Sequence, residues 1–528
     1  MFMSQRPFYR TLAFFLRLPT RLSDRSRQRS KPYHFELQEV LFMAITKEQA
    51  LLAIDREKAT LTDASDRIWD VPETAFQEFQ STEILCDLLE KEGFKVEKNL
   101  AGIATAFSGR YGSGKPVIGF LGEYDALSGL SQEADLLEKK PILDGEPGHG
   151  CGHNLLGVGS VAAAIAMKEY LEKNGKEGTV VFYGCPGEEG GSGKGFMARD
   201  GVFDELDFAV SWHPGDRNEV VVGSSLANYQ IYYRFYGVSS HAAACPELGR
   251  SALDAVELMN TGVQYLREHV IQEARIHYAI TNTGGFSPNV VQPFAEVLYL
   301  IRAPKNGQVK EIYERINDIA RGAALMTGTR MEMQFVKACS NLVDNTTMEE
   351  VMQKNLESVA FEPYTEEELT YAKQMQDTYG GSNLNLQAVL TRYEKSHKAM
   401  VEAVLAPHMN DIICTAIVPL MDTETPMAGS TDVGDVSWVC PTVQANICTE
   451  AFGTPGHSWQ MVAQGKSTIA HKGMIFAGKV MAATAIDMYE NPDLIEKAKE
   501  ELAKRVGPEG YVAPIPEGIR PMAINPKK

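Results

Sequence analysis

The sequence lacks any run of about 18 apolar residues, the length a helix needs to cross a bilayer. Its nearest candidate, Leu155 to Met167, is too short and too rich in Ala and Gly, and reads as a core helix. Cysteine is sparse, with eight residues scattered in no paired framework. That excludes a disulfide-stapled scaffold and makes a reducing, cytoplasmic compartment the expected location. Positive charge is in deficit: 51 Lys and Arg face 69 Asp and Glu, for a net charge of −18. The imbalance excludes a general affinity for nucleic acid or for anionic membranes. Internal repeats and low-complexity tracts are absent as well.

What is present is a long chain of 528 residues, enough for two or three domains. Residues 1–42 stand apart, carrying Arg6, Arg10, Arg17, Arg21, Arg25, Arg27 and Arg29 with few acids. Arg17 interrupts the apolar stretch Leu12 to Leu18, against a secretory signal. The segment is expected to be a disordered extension, with Met43 as the natural start. From there the pattern is globular. Short apolar runs at Val117–Leu121, Thr179–Tyr183 and Phe208–Ser211 read as buried strands, with an Ala-rich helix from Leu155 to Leu171 between the first two. Strands alternating with helices predict an α/β layer structure over 43–225. Residues 226–343 read as strand, helix, strand, strand, helix, strand, the βαββαβ order of a ferredoxin-like α+β module. The catalytic pattern resumes over 344–528, so the module is expected to be an insertion.

Each apolar run leads into a polar, Gly-flanked loop. Val117–Leu121 precedes Glu123-Tyr124-Asp125, Thr179–Tyr183 precedes Gly187-Glu188-Glu189-Gly190, and Phe208–Ser211 precedes His213. Ligands of open α/β sheets bind beyond the carboxyl ends of strands, where these side chains gather. His149-Gly-Cys151-Gly-His153-Asn154 opens the Ala-rich helix. An isolated cysteine is usually a core residue. Here thiol and imidazole stand two apart on a Gly-rich turn, a donor pair suited to borderline metals. Glu188 and Glu189 offer a division of labour: one carboxylate holds metal while its neighbour abstracts a proton from the attacking water. Gly193-Lys194 is followed by Gly195, so the stretch is not a phosphate-binding loop.

Taken together, Gly148-His-Gly-Cys-Gly-His-Asn-Leu-Leu-Gly157, Pro186-Gly-Glu-Glu-Gly-Gly191, His457-Ser-Trp-Gln460 and Ala470-His-Lys-Gly-Met474 resemble the two-metal peptidases and amidohydrolases that include aminoacylase and glutamate carboxypeptidase. Within them the resemblance is strongest to the branch acting on p-aminobenzoyl-glutamate. It implies a zinc-peptidase-like catalytic domain with an inserted dimerisation or lid domain. It further implies a pair of divalent ions per subunit, manganese in preference to zinc, held by Cys151, His153, Glu189, His213 and His471, with Cys151 bridging. Glu188 matches the general base, Asp125 an orienting carboxylate, and His241 an oxyanion-stabilising histidine that in relatives reaches a neighbouring subunit. Asn289 and Arg302 match positions that seat a substrate carboxylate; for Arg302 a structural ion pair is the equal alternative. The family motif has His where this chain has Glu123, which leaves Glu123 without an implied ligand role. The expected partners are a small amide substrate and a second copy of the chain, or else a homologous A subunit. The expected function is hydrolysis of p-aminobenzoyl-glutamate-like or other N-acyl amino acids. The competing readings are a dipeptidase on the same scaffold, a Cys–His hydrolase with Cys151 as nucleophile, and a binding protein without activity.

Overall fold

The computed structural model describes residues 44–380, 390, 393 and 395–523. The expectation for residues 1–42 therefore lies outside the described residues. Eleven strands are described: β1 (Lys95–Lys98), β2 (Phe107–Ser113), β3 (Val117–Gly122), β4 (Gly178–Gly184), β5 (Phe208–Gly215), β6 (Glu219–Val220), β7 (Ala227–Tyr236), β8 (Arg275–Asn282), β9 (Phe294–Ala303), β10 (Arg330–Cys339) and β11 (Thr442–Cys448). The three apolar runs predicted as strands are β3, β4 and β5. They lie in one sheet of order β1-β2-β4-β3-β5-β11-β6. Its centre, β4-β3-β5-β11, is parallel, and antiparallel pairs flank it on both sides. Purely apolar strands suit this place because both faces are covered. Ile118 and Phe120 join one core cluster while Val117 and Leu121 join the other, the alternation that a period of two imposes.

The Ala-rich helix runs from His153 to Asn174 and ends on Gly175 in the left-handed conformation. It is buried almost all round and packs beside the helix Thr468–Glu490 on one face of the sheet. Gly159 makes this approach possible, since a Cβ there would meet the Trp212 ring at 2.8 Å. The consequence for function is position: the helix begins where β3 and β5 end.

The second sheet has order β10-β7-β9-β8 and is antiparallel throughout. With the helices Ala252–Leu266 and Asn306–Thr327 it follows the βαββαβ order read from the sequence. Its apolar interior, with Tyr233, Val297 and Ile316, is continuous with the core on the second face of the large sheet. Asp435 pins the return of the chain: its carboxylate accepts bonds from Ser340 N at 3.0 Å, Ser340 Oγ at 2.7 Å and Tyr511 Oη at 2.8 Å.

Candidate metal centre

Cys151 and His153 flank Gly152, whose φ of +73° is a left-handed turn that few side chains tolerate. A Cβ at that position would also press on Pro214 at 2.9 Å. The turn brings Cys151 Sγ within 3.4 Å of His213 Nε2, at the carboxyl end of β5. Glu188 and Glu189 open a helical turn directly after β4. His457 lies in the loop after β11 and holds φ at 53°, an unusual conformation for a residue with a side chain. Its Nε2 stands 3.3 Å from Glu189 Oε1.

Among the described residues, two trios of donor atoms share one sulfur. Cys151, His153 and His213 form one, and Cys151, Glu189 and His457 form the other, each with its donor atoms within 4.8 Å of one another. A third group joins Glu123, His153 and Glu188. The tautomers suit ligation. His153 Nδ1 donates to Asp125 Oδ1 at 2.9 Å and His213 Nδ1 to the Pro214 carbonyl at 2.7 Å, so both rings turn Nε2 inward. His153 Nε2 and Glu189 Oε1 are buried and make long contacts, 3.3 Å each, with Glu123 Oε2 and His457 Nε2. Buried polar atoms so weakly satisfied are costly unless something binds them. A soft thiolate, imidazoles and a carboxylate around them fit a pair of borderline divalent ions.

The charges are arranged accordingly. Burial, then the carboxylates of Glu123, Glu189 and Asp432, pushes the Glu188 carboxyl well above its usual range. At Glu189 burial pushes upward, yet the His457 bond and the His153 charge bring the carboxyl down to about 2. Burial and Glu189 hold the Cys151 thiol well above its ordinary value, so the sulfur ionises only against added positive charge. Burial lowers His213, which keeps its ring neutral.

Of the residues singled out in the sequence, Cys151, His153, Glu188, Glu189 and His213 come together. Asp125 supports them, also accepting Glu189 N at 2.9 Å. His471 is a correction. It sits in the first turn of the helix Thr468–Glu490, with Nε2 on Asp66 Oδ1 at 2.8 Å, and His457 occupies the place expected for it. His241 and Asn289 lie on the exposed side of the inserted module, outside the cavity lined by Cys151, Glu188 and His213. Arg302 lines that cavity, about 430 Å³ in volume, and donates to Ser430 Oγ at 3.0 Å in place of any ion pair. Glu123 is shared between His153, whose Nε2 lies 3.3 Å from Oε2, and Lys194, a wholly buried ammonium 2.7 Å from Oε1 and 2.5 Å from Asp432. The sequence brings Lys194 to notice only as part of a rejected phosphate-binding loop, with no sign of its burial. His149 is structural, with its ring bonded to the Ile68 carbonyl at 3.1 Å.

A sheet whose strand ends carry paired donor trios beside a buried carboxyl group is the arrangement of a metal-dependent hydrolase. The chain belongs to peptidase family M20/M25/M40, whose model matches residues 119–487. It is 48% identical over 473 residues to the B-type subunit of p-aminobenzoyl-glutamate hydrolase from Escherichia coli, covering 90% of this chain and 98% of that one. It is 27% identical to the Xaa-Arg dipeptidase of Mus musculus, over 87% of this chain and 92% of that one. A solved structure from methicillin resistant Staphylococcus aureus shares the fold at a TM-score of 0.57 and 16% identity, over 84% of this chain and 99% of that one.

Proposed function

We propose that the protein hydrolyses the amide bond of p-aminobenzoyl-glutamate-like or other N-acyl amino acids, with a pair of divalent ions, manganese in preference to zinc. The observation that carries the reading is the meeting of two donor trios at Cys151 with Glu188 beside them. The identity to the Escherichia coli hydrolase directs the choice of substrate.

Cys151, His153 and His213 would hold one ion, and Cys151, Glu189 and His457 the other. Bound ions supply Lewis acidity, lowering the pKa of a water toward about 7 and polarising a carbonyl. Glu188 takes the proton of the attacking water and returns it to the departing amine. Its raised proton affinity suits the second of these steps. Asp125 keeps the His153 tautomer fixed and ties down the backbone of Glu189. Arg302 presents a planar fork to a substrate carboxylate at the cavity wall.

The assembly we propose is a homodimer through the inserted module. Edge strand β8 exposes Tyr278 and Ile280, and Tyr265 and Phe286 lie open on the same module. His241 and Asn289, remote from their own cavity, would serve the site of the second copy. A mixed assembly is the variant, since the Escherichia coli relative is itself one subunit of an enzyme. All eight cysteines are unpaired, which supports a reducing cytoplasm. No helix among the described residues is long and apolar enough to cross a membrane.

The likeness to a dipeptidase favours one second reading, cleavage of short dipeptides by the same machinery. Purified protein loaded with manganese or zinc should release glutamate from N-acyl-glutamates faster than it cleaves dipeptides. Dipeptide cleavage without turnover of any N-acyl amino acid would select the second reading. Activity that survives strong chelator and dies on alkylation would instead make Cys151 a nucleophile.

A further inference from the structure

Lys337 is a charged group of the cavity wall that the reaction above leaves unused. It stands on β10, is 8% exposed and lines the same cavity as Arg302 and the metal centre. Its ammonium has three N–H donors, and one of them bonds the Glu189 carbonyl at 3.2 Å. Among the described residues no carboxylate lies within ion-pairing distance of Lys337 or of Arg302. A nearly buried ammonium without a counter-ion is costly, and an acidic chain of net charge −18 has carboxylates to spare. Lys194 in the same site has two carboxylates. The vacancy at Lys337 is therefore a local property of the cavity.

The sheet explains how two cations reach one space. Arg302 pairs with Asn228 and Lys337 with Gln230 across opposite edges of β7. Residues 228 and 230 point to the same face, as do their cross-strand partners. Arg302 and Lys337 thus rise from strands on either side of β7 and converge on the cavity from the same side, facing Cys151, Glu188 and His213.

We propose that Lys337 determines specificity by taking the side-chain carboxylate of a dicarboxylic leaving amino acid while Arg302 takes the α-carboxylate. In glutamate the two carboxylates are joined by three carbons, a span that two long side chains can clamp. The same ammonium repels a cationic side chain, so an arginine-terminated substrate is selected against. This inference rests on the reading that the enzyme cleaves N-acyl amino acids.

The test is the ratio of kcat/KM for an N-acyl-glutamate to that for the matching N-acyl-glutamine, measured with the metal-loaded enzyme. Lys337→Met should lower that ratio by about 10- to 100-fold, the scale of a charge-assisted hydrogen bond. Lys337→Arg should restore most of it. A fall of equal size on both amides, with the ratio intact, overturns the proposal and makes Lys337 a structural support of Glu189. Calorimetry with free L-glutamate and L-glutamine keeps the two readings apart. Turnover of neither amide by the wild type overturns the proposed function. Glutamate binding at least about 10-fold tighter than glutamine would still support the subsite, and equal affinity would overturn it.

Discussion

Exchanging His457 and His471 in turn for alanine tests the metal centre at its most informative point. His457 Nε2 belongs to the trio with Cys151 and Glu189, whereas His471 Nε2 is spent on Asp66. A structural zinc ion is worth about 10–16 kcal/mol, so one protein ligand of three carries about 3–5 kcal/mol. His457→Ala should weaken one ion by roughly 200- to 5,000-fold and, after dialysis against a mild chelator, remove about one ion per chain. Its loss also strips Glu189 of the bond that lowers its carboxyl, which weakens the same trio again. His471→Ala breaks only a partly exposed pair, worth at most about 1 kcal/mol, and should leave metal content intact. Elemental analysis beside a melting curve separates loss of metal from loss of fold. A His471→Ala protein stripped of metal, beside a fully loaded His457→Ala protein, would refute the assignment.

Glu188→Gln should keep metal and fold while turnover drops by about 100- to 10,000-fold, and Glu189→Gln should lose metal; the reverse pattern exchanges the two roles. His241→Ala should cost roughly 100- to 1,000-fold in kcat at unchanged metal content. Equal mixing of His241→Ala with Glu188→Gln subunits should recover about a quarter of wild-type turnover through mixed dimers, and absence of recovery would sink donation between subunits. Burial, then Asp344, raises the Glu349 carboxyl to about 8, so folding takes up a proton above the ordinary carboxylate value. The stability this contributes is complete in acid and is lost toward pH 8, by up to about 1.4 kcal/mol per pH unit. The melting-temperature advantage of Glu349→Gln should therefore widen from pH 5 to pH 8, and a constant gap would refute it.

The parallel strands were legible because burial on both faces writes them as unbroken apolar runs, as at Val117–Leu121. The inserted module was legible through its alternation of periods, and β9 shows why, with every second residue from Ala295 to Ala303 buried. β11 escaped notice. Its Gln444 and Asn446 break the apolar run, although both are drawn toward the cavity that the strand helps to line. That omission carried the error at His471. The rule that ligands gather beyond strand ends, applied to β11, leads into the loop that holds His457. His471, three residues into a helix, satisfies no such rule and rested on resemblance alone. The roles of Lys194 and Lys337 were illegible for another reason. A lysine in a sequence is by default a solvated surface charge, and only the packing reveals which ammonium is buried and what faces it.

Those buried lysines divide the site by charge. Lys194 sits behind the donor cluster and pairs with Glu123 and Asp432, partly offsetting two carboxylates that raise the proton affinity of Glu188. The sulfur of Cys151 is the common member of both trios, and in the proposed centre it would take the bridging place that an aspartate fills in the carboxypeptidase branch. Lys337 and Arg302 stand on a different sheet at the cavity wall, each with a neutral hydrogen-bond acceptor and no carboxylate partner among the described residues. On the proposed reading, chemistry is built on the carboxyl edge of one sheet and recognition on the wall of another. The second sheet can change its cations, and with them its choice of amino acid, without disturbing a single metal-binding side chain.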